Sequence, residues 1–79
     1  MDPRELERLR WRSRRGLLEL DLVLTRFWAP PGPDLDEGQG RALARLLAMP
    51  DNDLLDLVMG RATNADPAVE EMLVRLKSA

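Results

Sequence analysis

The sequence predicts an all-α protein, a small five-helix bundle in a single domain spanning residues 1–79. Three observations predict it. Apolar residues recur at helical spacing, as in Leu43, Leu46 and Leu47 or Val69, Met72, Leu73 and Leu76. Helix-start grammar appears three times: Asp2-Pro3, Asp36 with Gln39 three residues on, and Asp66-Pro67. The one run that could read as a strand has no second strand to pair with, and a lone strand leaves its backbone groups unsatisfied. Apolar residues make up 44% of the 79, enough for a core in a chain where one core is only marginally sufficient.

Taken in order, the first helix starts at Asp2, with Pro3 at the first helical position and Glu5 in the first turn. Leu6 and Leu9 form a thin apolar stripe that Ser13 continues. Arg10, Arg12, Arg14 and Arg15 load the far end, where cations suit the helix dipole. Gly16 is expected as its stop. Trp11 lies off the leucine stripe, either at the core edge or exposed for a partner.

The run Leu17–Trp28 fits two periods. Leu18, Leu20, Leu22 and Leu24 alternate as in a strand, whereas Leu17, Leu20, Leu24, Phe27 and Trp28 share a helical face. The missing partner strand decides for helix. Ala29-Pro30-Pro31-Gly32-Pro33 is a stiff corner that cannot be helical and is too short to divide domains.

The third helix is expected over Glu37–Met49. Asp36 and Gln39 form a capping box, and Leu43, Leu46 and Leu47 with Ala42 face the core. Gly38 and Gly40 each cost about 1 kcal/mol against Ala and weaken its first turn. Pro50 ends it. The fourth helix begins at a cap within Asp51-Asn52-Asp53, buries Leu54, Leu55 and Val58, and stops at Gly60. The fifth is capped by Asp66, has Pro67 at its first position and Glu70 and Glu71 in its first turn, and ends near Lys77.

Composition narrows the function. With no Cys and no His, disulfides, thiolate or imidazole metal sites and the usual proton shuttle are excluded. The acid pairs Glu70-Glu71 and Asp51/Asp53 sit where helix N-termini place carboxylates for structural reasons. Gly38-Gln39-Gly40 lacks the strand that a dinucleotide-binding loop requires. Catalysis by this chain alone is therefore not expected, nor a bound cofactor or metal. Residues 1–28 hold seven Arg against five acids, and residues 29–79 five cations against nine acids. Six Arg in the first fifteen residues could follow phosphates. However, Glu5 and Glu7 interrupt them, and no later helix carries base-reading side chains, so nucleic acid is not the expected partner. No run approaches the roughly eighteen apolar residues of a membrane span, and Met1-Asp2-Pro3-Arg4-Glu5 has no signal-peptide core. These features lead us to expect a cytoplasmic protein, and the bias to Arg over Lys and to Leu and Ala a bacterial one; a monomer is expected.

The stretch Arg14-Arg15-Gly16-Leu17-Leu18-Glu19-Leu20-Asp21 obeys local rules least well. Arg15 and Glu19, four apart, are expected on one helix face, in the poorer order for such a pair and with Arg opposing the dipole. A residue without a side chain beside a guanidinium that can grip a carboxylate reads as a compact docking patch for another protein.

Arg15, Gly16 and Glu19, followed by Leu20-Asp21 and preceded by Trp11 and Arg14, resemble the Arg-Gly-x-x-Glu signature of the succinate dehydrogenase FAD assembly (flavinylation) factors. Arg45-Leu46-Leu47, Asp51-Asn52-Asp53-Leu54 and Glu71-Met72-Leu73-Val74-Arg75-Leu76 look like that family's later helices. The all-aliphatic fourth helix and the proline-rich corner depart from its pattern. The resemblance implies a five-helix assembly chaperone that binds the flavoprotein subunit of succinate dehydrogenase or fumarate reductase. It promotes covalent attachment of FAD to a histidine of that subunit, whose own residues do the chemistry. The residues implied for partner binding are Arg8, Trp11, Arg14, Arg15, Gly16, Glu19 and Asp21. The alternative left by the residues alone is a generic helical adaptor, or a nucleic-acid-associated accessory protein, using the Arg-rich helix.

Overall fold

The computed structural model describes residues 2–79. It holds α1 (Pro3–Arg12), α2 (Leu18–Trp28), α3 (Glu37–Leu47), α4 (Asp51–Val58) and α5 (Pro67–Ser78), with no strand among the described residues. The five-helix, all-α expectation holds. The α3–α5 pair is the most extensive packing contact; α1 lies on α3, and α2 and α4 pack on each other and on α5. The radius of gyration is 11.5 Å.

The caps explain most helix starts. Asp2 accepts from the Arg4 N–H, and Asp66 accepts from that of Ala68. Asp36 and Gln39 form the reciprocal capping box. α4 corrects its expected start: Pro50 is its N-cap residue, no side chain caps it, and Asp51 is already helical. Its end is a Schellman motif. Gly60, at φ 77°, donates to the Leu57 carbonyl, and the Arg61 N–H donates to that of Asp56.

The core takes Leu20, Leu24 and Phe27 from α2, Ala42, Leu43, Leu46 and Leu47 from α3, and Val69, Met72, Leu73 and Leu76 from α5. Leu18 and Leu22, the strand-phase residues, are 70% and 51% exposed, so the helical period wins. In α4 the buried set is Leu54, Leu57 and Val58, with Leu55 only half-buried. Leu35, in the link before α3, is also buried. α3 ends at Leu47, two residues earlier than expected, because Ala48 already acts as its C-cap.

Two further corrections concern the α1–α2 link. α1 ends at Arg12 with Ser13 as C-cap in the right-handed region, so Gly16 is not the residue that stops it. α2 begins only at Leu18, so Arg15 lies ahead of the helix and shares no helix face with Glu19.

Candidate functional site

The link from Ser13 to Leu17 is built from both ends. At its start, Ser13 is the one buried polar residue among the described residues, 5% exposed. Its Oγ donates to the Leu9 carbonyl and accepts from Trp28 Nε1, each at 2.8 Å. The last turn of α1 is thereby fixed to the end of α2, where Trp28 meets Phe27 edge-to-face at 5.4 Å. At its other end the Arg15 backbone N–H donates to Asp21 Oδ1 at 3.0 Å, so the first turn of α2 reaches back over the link.

Between these anchors the Arg15 side chain turns inward. Its guanidinium donates from Nη1 to the Leu47 carbonyl at 2.7 Å and from Nη2 to the Met49 carbonyl at 2.5 Å. A weaker bond runs from Nη1 to the Arg12 carbonyl at 3.3 Å. Nε lies 3.0 Å from Asp51 Oδ1 in an ion pair and has no hydrogen-bond partner of its own. The side chain is only 12% exposed. The bidentate grip expected of Arg15 on an outside carboxylate is thus directed instead at this chain's own α3–α4 corner.

Gly16 does the opposite. It is exposed, holds a left-handed φ of 77°, and a Cβ added there would meet nothing within 4 Å. The positive φ favours glycine, and the space outside it is open.

The other expected residues divide into groups. Trp11 is 68% exposed, which settles its placement, and Arg14 lies over its ring at 6.0 Å, within cation–π range. Arg14, Gly16 and Asp21 line one open groove of about 750 Å³, with Arg10, Leu24, Thr25, Trp28 and Pro30. Glu19 is exposed on the first turn of α2 and forms no ion pair among the described residues. Arg8 stands apart, in a groove between α1 and α3 that also holds Arg12, Glu37 and Arg41. Sequence reasoning missed Ser13 as the polar hinge of the link and Asp51 as the counter-ion of Arg15. Only a Ser on an otherwise apolar stripe hinted at the first.

What this arrangement can do chemically is present a surface. No group of three or more His, Cys, Asp or Glu is placed to hold a metal among the described residues. Gly38 and Gly40 fall inside α3 with no strand before them, so the phosphate cradle of a dinucleotide site is not built here. No described helix is long and apolar enough to cross a membrane.

Fold and site together define a small all-helical protein with an anchored, exposed loop beside an open groove. Residues 7–79 match the family described as the flavinator of succinate dehydrogenase, and the chain belongs to that family. It is 41% identical over 69 residues to the FAD assembly factor SdhE of Pseudomonas putida, covering 87% of this chain and 82% of that one. It is 47% identical over 60 residues to the SdhE of Ralstonia nicotianae, covering 76% and 63%. Against the Legionella pneumophila (strain Lens) protein of the same name, the identity is 48% over 60 residues, covering 76% of each. No solved structure matches the chain.

Proposed function

We propose that this chain acts in the bacterial cytoplasm, as a monomer, as an FAD assembly factor. It binds the flavoprotein subunit of succinate dehydrogenase or fumarate reductase and promotes covalent attachment of FAD to that subunit. Gly16, Glu19, Trp11 and Arg14 form the contact face, Arg8 adds a separate contact from the α1–α3 groove, and Asp21 and Arg15 hold the loop from behind. The chemistry resides in the client. Docking holds the client's flavin and acceptor histidine in near-attack geometry, which lowers an entropic barrier without a catalytic group from this chain. FAD stays with the client throughout.

The observation that carries this reading is Gly16. It is an exposed residue in a left-handed turn, with Arg15 before it clamped by hydrogen bonds, Leu17 after it packed against the core, and open space around it. The left-handed φ itself favours glycine, and the open space beside it is what lets another backbone come close.

Co-expression with the flavoprotein, read by in-gel fluorescence of covalent flavin, tests it. Asn tolerates the left-handed region, so Gly16→Asn keeps the fold and fills the space, as Gly16→Arg does more severely. Both should lower covalent flavin by about ten-fold or more, in line with the loss of a central interface contact. Wild-type flavin levels in both variants refute the role given to the loop.

A further inference from the structure

We propose that Arg15 is a positioning residue, and that Asp51, thirty-six residues downstream, is its working partner in presenting the docking loop. This rests on the reading of Gly16 as a contact point.

The argument starts from the needs of α3. The last carbonyls of a helix have no partner within it. Here those of Leu47, the final residue of α3, and of Met49 just beyond are taken by the Arg15 guanidinium at 2.7 and 2.5 Å. A cation is also favoured at that end by the helix dipole. Asp51 opens α4 and lies 3.0 Å from Nε. A planar fork therefore joins the end of α3, the start of α4 and the α1–α2 link in one clasp, a geometry that a lysine ammonium cannot reproduce. On the other side Asp21 holds the Arg15 backbone N–H. With its side chain drawn in and its N–H held, Arg15 leaves the following residue, Gly16, as the one that faces outward. Because both its Nη atoms donate to carbonyls of this chain and its side chain is 12% exposed, Arg15 is not the group that grips a client carboxylate.

A loose clasp lowers the fraction of molecules whose loop is ready to bind, and the apparent Kd rises by the reciprocal of that fraction. The test uses the full chain and the purified flavoprotein subunit. Kd is measured against salt concentration, alongside hydrogen exchange of the loop's backbone amide at position 15, which Asp21 accepts from, for Arg15→Lys, Asp51→Asn and the double variant. Circular dichroism confirms that each is folded. Each single variant is expected to raise Kd by about 3–30-fold and to speed exchange of the amide at position 15, while keeping the wild-type salt dependence. The double variant should be little worse than the poorer single one, because both break one clasp.

A silent Asp51→Asn, in both Kd and exchange, overturns the proposal. So does an Arg15→Lys variant that weakens binding and changes the salt dependence with loop exchange unaltered, because that marks direct contact with the client. The two readings fail differently. Gly16→Asn with an unchanged Kd removes the docking role of the loop, whereas unchanged exchange in Arg15→Lys and Asp51→Asn removes the clasp alone.

Discussion

α1 and α5 start with the same words and serve opposite ends. Each opens with an Asp cap and Pro at its first position, and each carries cations in its last turn. α5 then buries Val69, Met72, Leu73 and Leu76, whereas α1 buries only Leu9. The cap of α5 is itself tied in, since Asp66 also pairs with Arg45 of α3. Arg75 reaches over the Phe27 ring at 5.9 Å and donates to the Asp34 carbonyl. α1 spends its length on exposed Arg residues and on Trp11. The difference teaches that local grammar decides whether a helix forms, while the width of its apolar stripe decides whether it holds the fold or shows a face.

The sharpest way to break that contrast is in the core. Leu73→Ala in α5, where the side chain is 2% exposed, is expected to cost about 2–5 kcal/mol in denaturant unfolding. In a chain this small that approaches the whole stability. Ser13→Ala should cost about 1–3 kcal/mol, because the Trp28 indole N–H loses its acceptor at a poorly solvated spot. A change within 0.3 kcal/mol would show that the α1–α2 hinge is held by packing alone. Asp66→Ala should cost about 1–2 kcal/mol and Asp2→Ala about 0.5 kcal/mol, since only the first also serves a neighbouring helix. Equal losses in thermal unfolding would erase the contrast at the level of caps. Trp11→Ala should change stability by less than about 0.5 kcal/mol while weakening client binding, the signature of a displayed residue.

Much of the scaffold was legible from the chain alone. The stripes of α3 and α5 and the caps at Asp2, Asp36 and Asp66 are local signals, and local rules govern them. The buried trio of α4 was within reach: Leu54, Leu57 and Val58 follow helical spacing better than the expected set with Leu55. Leu35 was not, because a single apolar residue in a proline-rich link has no period to betray it. Of the candidate site, the exposure of its residues was legible and the course of Arg15 was not. Gly16, Trp11, Arg14 and Glu19 stand exposed, as a docking patch needs. The direction of Arg15 was hidden, because its acceptors are backbone carbonyls 32 and 34 residues away, and a carbonyl has the same identity whatever its side chain.

The two indoles of the chain stand in contrasting surroundings, and there is no tyrosine to blur their light. Trp28 has its ring nitrogen occupied by Ser13 and its body half covered, while Trp11 lies open to water. A Trp28→Phe protein therefore emits from one ring alone, placed on the face proposed to meet the client. Its emission will move to the blue as the client settles over it, so complex formation can be timed by stopped flow without any attached dye.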